Sequence, residues 1–255
     1  MFDDVRARGL KEEYKSRKIL DEKAFYDIWR EDISKDQDLI SRALNGGIVS
    51  DCFSWVFLSG YQSAISHTFS EVNKDDWASF AVSEDKRGEK PGLSWTNSDG
   101  VFVLDGYKTW VAGVGQTRQL VVKAGRGEGA LYFCVDRETE GLSFERKEKG
   151  FLPEMSEGIA CFNDVSLSHE KLVSHGRVHL FGKSEILYIY LSFCGLIIGH
   201  SDDETMSEAC WRLAKTIGTA LQNDDYSEIK NIDHQIQEIR SKGQDIINGV
   251  PGWES

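Results

Sequence analysis

Apolar positions recur with helical spacing along roughly the first seventy residues. Charges crowd positions 3–38, while Tyr14, Leu20, Ala24, Phe25, Ile28 and Trp29 keep approximate helical spacing, which predicts an amphipathic, solvated element. The stretch "GGIVSDCFSWVFLSGYQSAI" is apolar on nearly every face and predicts a fully apolar helix over 47–65, placed in a core or an interface. Over 77–172 the period shortens to that of strands. "WASFAVS", "GVFVLDGYKTWVAG", "RQLVVKAG", "ALYFCVD", "GLSFERK" and "IACFNDVSL" are short, rich in β-branched and aromatic residues, and separated by Gly or Asn/Asp turns. They predict an antiparallel sheet or barrel with no helix of useful length between the strands. Helical spacing then returns: a buried helix over 183–199, a helix starting at Asp203 or Thr205 with Met206, Cys210, Leu213, Ile217 and Leu221 down one side, and a last helix with Ile229, Ile232, Ile236 and Ile239 in steps of three and four. The last two are expected to close as an antiparallel pair. The fold class expected is therefore α+β: a helical N-terminal region (1–72), a central antiparallel β-barrel or sandwich (73–173) and a short helical C-terminal region (174–255).

Composition narrows what such a chain does. Its 255 residues, 40% hydrophobic and 28% charged, suffice for a full core. A net charge of −12 repels nucleic-acid backbones and anionic lipid, and no basic run offsets it, so neither nucleic acid nor membrane is an expected partner. The most apolar run, "ILYIYLSFCGLIIG", has 14 residues, short of the roughly 20 a bilayer requires. The N-terminus carries no apolar signal core. Five scattered cysteines form neither a C-x-x-C pair nor a disulfide framework, which points to a reducing, cytoplasmic compartment.

Several local patterns resolve to structure. "AGRGEGA" fits G-x-G-x-x-A on paper through Gly125, Gly127 and Ala130, but "LYFCVD", a strand, follows it where a dinucleotide fingerprint opens a helix. Residues 125–129 are therefore expected to be a hairpin loop. "DGVFVLDG" reads as a hairpin arm entered and left by Asp-Gly turns. His175 and His179 stand four apart, but Gly176 disfavours a helix there and no carboxylate ligand is suitably spaced, so no metal is expected. Ser59 and Ser63 lack the strand–turn–helix setting of a hydrolase nucleophile.

Four segments in order, "FAVSEDKRGEKPG", "LDGYKTWVAGVG", "LYFCVDRETEGLSF" and "FNDVSLSHEKLV", resemble the middle β-domain of the acyl-CoA dehydrogenase family. The family's corresponding motifs are A-x-[TS]-E leading to a G-S-D turn, L-x-G-x-K-x-[WFY]-[IV]-[TS], F-x-V followed by G-L, and F-x-[DN]-V-x-[VL]. The helices on both sides agree with the family's plan. The resemblance implies an FAD-dependent oxidoreductase of fatty-acid metabolism that oxidises the Cα–Cβ bond of an acyl thioester or related substrate. It also implies a homo-oligomer, or a hetero-oligomer with a larger homologue.

Residue by residue, the resemblance puts Phe80, Val82 and Ser83 at the flavin's pyrimidine side and Trp110 against its ring. Ala112 stands where a Thr or Ser would bond flavin N5, its backbone N–H being the group left to do so. Gly88 and Glu89 fall in the turn that meets substrate and cofactor phosphates, with glutamate in place of the family's serine. Glu84 and Glu89 together are unfavourable to anions unless Lys86, Arg87 or Lys90 compensates. The reaction needs a carboxylate to remove the α-proton. The 83 residues after Leu172 fall short of the family's C-terminal domain, and Glu204, Glu208, Glu228 and Glu238 read as solvated charges, so no catalytic residue is assigned. The alternative is a catalytically inactive relative acting as a scaffold or accessory subunit that binds a partner protein.

Overall fold

A computed structural model describes residues 4–14, 17–36 and 38–243. The chain divides into a helical unit, residues 1–67 with 180–255, and a β unit, residues 68–179.

The helical unit is built from both ends of the chain. Helix α1 (Asp4–Tyr14) buries Ala7, Leu10 and Tyr14 and packs on the helices described next. Helix α2 (Glu22–Ile28) starts where the Asp21 carboxylate accepts the Ala24 N–H at 2.8 Å, and runs into a π-turn at Trp29–Ile33. Because residues 17–20 lie between helices, Leu20 is 84% exposed rather than on the buried face, whereas Tyr14, Phe25, Ile28 and Trp29 are buried as the spacing predicts. The buried Arg42 guanidinium closes the π-turn, donating to the Ser34 carbonyl at 2.6 Å and the Asp36 carbonyl at 2.9 and 3.1 Å.

The apolar stretch expected as one helix over 47–65 is two: α3 (Leu39–Val49) and α4 (Phe53–Thr68). Ser50 is extended (φ −71°, ψ 137°) and its hydroxyl turns back to the Gly46 carbonyl at 2.7 Å. Asp51 accepts the Ile19 N–H at 2.7 Å. These polar groups end α3 where hydropathy alone shows no break.

Helix α5 (Phe181–His200) is the buried helix predicted over 183–199, and by length and composition it could cross a membrane, but most of its apolar stretch is buried within the unit. Helix α6 (Glu204–Gln222) is capped by Asp203, which accepts from Thr205 and Met206 N–H, and buries Cys210, Leu213, Ile217 and Leu221. Helix α7 (Ile229–Lys242) packs on it through the predicted isoleucine seam, with Ile232, Ile236 and Ile239 buried.

Glycines set the approach of α3, α4 and α5. A Cβ on Gly47 would lie 1.9 Å from the Ser192 carbonyl oxygen, one on Gly195 2.1 Å from the Leu44 carbonyl oxygen, and one on Gly60 2.6 Å from the Ile189 Cα. Backbone therefore meets backbone, a contact open only to residues without a side chain.

In the β unit, strands β1 (Ala78–Ala81), β4 (Gln119–Ala124) and β5 (Leu131–Asp136) form one sheet in the order β1-β4-β5. Strands β2 (Ser94–Ser98), β3 (Val101–Ala112), β6 (Leu142–Arg146) and β7 (Glu157–Ser168) form the other, in the order β2-β3-β7-β6. Leu104, Val111, Leu120, Val122, Phe133, Val135 and Phe162 fill the shared core. The sheets are open and do not close into a barrel. The expected antiparallel pairing holds for the second sheet, whereas β1 pairs parallel with β4, because the intervening hairpin β2–β3 belongs to the other sheet and the chain re-enters in the same direction.

β2 has no apolar alternation, being an exposed edge strand, and is found instead by its turn: Asp99 and Gly100 take φ of 53° and 83°, the pair of positive values a two-residue hairpin requires. The second Asp-Gly, Asp105-Gly106, is not the exit turn expected of it. Strand β3 continues through it with a register shift between Leu104 and Gly106. Residues 125–129 do form the loop between antiparallel strands β4 and β5.

Gly47→Ala is expected to cost about 2–3 kcal/mol in urea unfolding, because the methyl has nowhere to go against a carbonyl. Wild-type stability in that variant would show that α3 and α5 do not meet in this way.

Candidate functional site

The sequence that ends β1 and the sequence of β3 converge on one ion pair. Along β3, Phe102, Leu104, Gly106 and Lys108 alternate onto the buried side, so strand geometry carries a lysine into the core. Its ammonium donates to Glu84 Oε1 at 2.7 Å and reaches the Val82 carbonyl at 3.5 Å. The Lys108 side chain is fully buried and that of Glu84 is 26% exposed. Burial pulls the Lys108 pKa down, and the Glu84 carboxylate pulls it back up. Two glycines make room: a Cβ on Gly92 would touch the Glu84 carboxylate at 2.4 Å, and one on Gly106, at φ +122°, would meet the Gly92 carbonyl oxygen at 2.5 Å. The Glu, Gly and Lys of the motifs thus hold the β1 end to β3.

The turn after Glu84 is closed by its own first residue. The Asp85 carboxylate accepts the N–H of Arg87 at 2.9 Å, Glu89 at 2.8 Å and Lys90 at 3.0 Å, and these bonds hold its pKa below the usual range. Gly88 takes φ +77° at the exposed tip. Lys90 is drawn aside to Glu145, 3.0 Å away, and lies over the Tyr107 ring. The Glu89 and Lys90 amides, and the Lys90 ammonium, are therefore already committed to carboxylates.

The residues expected at a flavin separate into two groups. Val82 and Ser83 run along β3 at Thr109, the residue next to Trp110 in sequence: the Thr109 N–H donates to the Ser83 carbonyl at 2.9 Å, and Trp110 falls within the register shift between Lys108 and Val111. Val82 and Ser83 are exposed and Trp110 is half-buried. An accessible strip with a hydroxyl and an indole suits a planar, hydrogen-bonding ring. Ala112 lies inward, and Phe80 is half-buried among other rings. The Phe80 ring packs 4.9 Å from Phe69 and 6.1 Å from Tyr132. Ala112 is fully buried, and its N–H, the group expected to meet N5, donates to the Ser79 hydroxyl at 3.1 Å.

In the helical unit, the glutamate that stands apart is Glu185 in the first turns of α5, which the sequence reading passed over. Burial alone raises its pKa to about 7, and it has no hydrogen bond or ion pair among the described residues. Its sequence signal was a glutamate inside the chain's most apolar helix. The four glutamates considered earlier are exposed, Glu208 pairing with Arg212 and Glu238 with His234. His175 lies against the Tyr132 ring in a 3₁₀ turn that also holds His179.

This architecture is the acyl-CoA dehydrogenase-like fold. The chain is similar to butyryl-CoA dehydrogenase from Megasphaera elsdenii (11% identity, TM-score 0.70, covering 98% of this chain and 88% of that one). It is also similar to the prolyl acyl carrier protein oxidase AnaB (10%, 0.69, 98% and 89%) and to an FAD-dependent dehydrogenase (14%, 0.61, 98% and 83%). No protein-family model and no curated protein matches the sequence. At these identities the likeness is one of fold.

Lys108→Met leaves Glu84 with only the exposed Arg126, 3.7 Å away, and with Glu84 partly solvated the expected loss is about 2 kcal/mol in urea unfolding, recovered in part by adding Glu84→Gln. A single variant as stable as wild type would remove the pair from the fold's foundations. For Glu185 the folded protein binds the proton more tightly than the unfolded chain. That stabilisation is complete below about pH 4.5 and is lost as pH rises through about 7. Wild-type stability should therefore fall between pH 5 and 8 by about 2 kcal/mol relative to Glu185→Gln, and equal pH slopes would contradict the burial.

Proposed function

We propose that the chain is an acyl-CoA dehydrogenase-like flavoprotein that oxidises the Cα–Cβ bond of an acyl thioester or related substrate. The observation that carries this reading is Glu185, a half-buried carboxyl with no ion-pair partner among the described residues, on the helical unit of a chain with this fold. A base whose pKa lies near neutrality is matched to removing a weakly acidic proton α to a carbonyl. Glu185 takes that proton on its carboxylate, and the apolar surroundings that raise its pKa strengthen it as a base. Trp110 offers its indole face to the cofactor ring, and Val82 and Ser83 its polar edge, with the Ser83 hydroxyl as the hydrogen-bonding group. Bound FAD would supply the hydride acceptor. Ala112, with its N–H committed to Ser79, takes no part, and Gly88 and Glu89 do not hold phosphate while Asp85 fills their turn. Five free cysteines support a reducing, cytoplasmic setting, and assembly as a homo-oligomer or with a larger homologue belongs to the same reading.

The Asp85-filled turn and the committed Ala112 N–H favour a second reading, a non-catalytic scaffold of the same fold that binds a partner protein. The two separate on the visible spectrum of protein incubated with FAD and desalted. A retained flavin band, bleached by an acyl thioester in wild type and about 10²–10⁴-fold more slowly in Glu185→Gln, is expected. Protein that stays colourless would sink the flavoprotein reading and leave the scaffold.

A further inference from the structure

The α5 end that carries Glu185 is anchored on one face by the buried Phe181, whose ring meets Tyr61, and by the buried Ser184, and is open on the other. Its N-cap, Leu180, makes no side-chain capping bond, and Gly182, Lys183 and Ile186 are exposed. A helical turn solvated on one face opens more readily than one buried all round, and a carboxyl on an opened turn meets water. Side chains reaching in from two other elements oppose this. The Tyr188 hydroxyl, one turn on from Glu185, stands 3.2 Å from His67 Nδ1 at the end of α4. His67 Nε2 stands 3.1 Å from Asp224 Oδ1 in the connection between α6 and α7. Tyr226 donates to that same oxygen at 3.3 Å, and the Lys183 ammonium of α5 lies 5.7 Å over the Tyr226 ring, so the links return to the helix they began from.

The chemistry of this loop of contacts is directional. A neutral His67 with its proton on Nε2 donates to Asp224 and accepts from Tyr188 through Nδ1, satisfying all three groups at once. Tyr188 is fully buried, and Asp224 sits in the left-handed region at φ +49°, a conformation that costs a residue with a side chain and persists where its surroundings hold it. We infer that His67, clamped by Asp224, is a positioning residue that fixes the Tyr188 turn of α5 and thereby keeps the Glu185 carboxyl out of water. The groups facing His67 are Tyr188 from α5 and Asp224 from the α6–α7 connection, with Tyr226 and Lys183 behind it. Glu185 itself is influenced by burial alone, so a change in its titration reports a change in its access to water.

The inference gives a role to Glu185 that rests on the proposed function, but its test does not. Carboxyl-¹³C-glutamate protein, without flavin or substrate, is titrated by NMR from pH 4 to 9 as wild type, His67→Gln, Tyr188→Phe and Asp224→Asn. Tyr188→Phe keeps the ring and removes one hydroxyl, so the fold survives while the link is cut. The Glu185 midpoint is expected to fall by about one pH unit in each variant. Ile236→Val, a core truncation in α7 outside this chain of contacts, is expected to leave it in place. Midpoints unmoved in the folded variants overturn the inference, and so does an equal shift in Ile236→Val, which would make the effect one of general stability. A shifted midpoint in a protein that never takes up flavin would keep the positioning role and discard the flavoprotein reading.

Discussion

Helices α3 and α5 come from segments well over a hundred residues apart in sequence, and at three glycines they meet backbone to backbone, with the Ser192 hydroxyl donating across the seam to the Ala43 carbonyl. Gly47 faces the Ser192 carbonyl, Gly195 faces the Leu44 carbonyl, and Gly199 faces the Ile48 carbonyl, each at a distance no Cβ could occupy. Helices packed through side chains stand 8–10 Å apart, and replacing those side chains with glycine brings the axes to the near limit of that range or inside it. The gain is dense contact along the seam; the cost is the backbone entropy of glycines held inside helices. The seam joins the C-terminal helices to the N-terminal ones across the intervening β unit in sequence, beside the contacts α5 also makes with α4. Every later feature of the helical unit, including the placement of Tyr188 beside His67, presupposes it.

The β unit depends in a similar way on a charge carried inward. Strand alternation leaves Lys108 no choice of face, and Glu84 is the group that makes its burial tolerable. This gives a physical meaning to part of the family-like pattern. The glutamate after β1, the glycine before Lys108 and Lys108 itself form one construction that joins two sheets, and a sequence keeps them for the fold whether or not it keeps a reaction. The motif residues that would report on chemistry are others: Ala112, Gly88 and Glu89. At Ala112 and Glu89 the backbone N–H is spent internally, on Ser79 and on Asp85.

That division explains how much could be read in advance. Strands β1 and β3 to β7 were legible because apolar alternation and glycine turns are local signals, and the isoleucine seam of α7 was legible because its period is helical. The break between α3 and α4 was not, since it rests on Ser50 and Asp51 making polar contacts inside an apolar run, one of them with a residue thirty-two positions away. Strand β2 was missed because an exposed edge strand need not alternate. Leu20 was misassigned because spacing cannot show where one helix stops and the next begins. At the candidate site, the pairing of Ser83 with Thr109 lies where two motifs meet, while the inward turn of Ala112 depended on a serine on another strand. Glu185 escaped notice for a different reason: its significance lies in what surrounds it, and a glutamate's surroundings are a property of the packed structure.

The balance between a working dehydrogenase and a retained scaffold turns on the cost of holding a carboxyl such as Glu185 half-buried with no ion-pair partner among the described residues. A protein that needs only a scaffold gains nothing from a glutamate whose ionisation opposes folding above neutral pH. Glutamine in the same place would bring no ionisation to oppose. By contrast, the Asp85-filled turn and the Ser79–Ala112 bond lower the energy of the fold and require no further explanation. A destabilising group is the more informative of the two kinds of observation, because stability alone does not account for it. On that ground the half-buried carboxyl weighs toward chemistry, and the closed turn weighs toward a substrate gripped otherwise than through phosphate at residues 85–90.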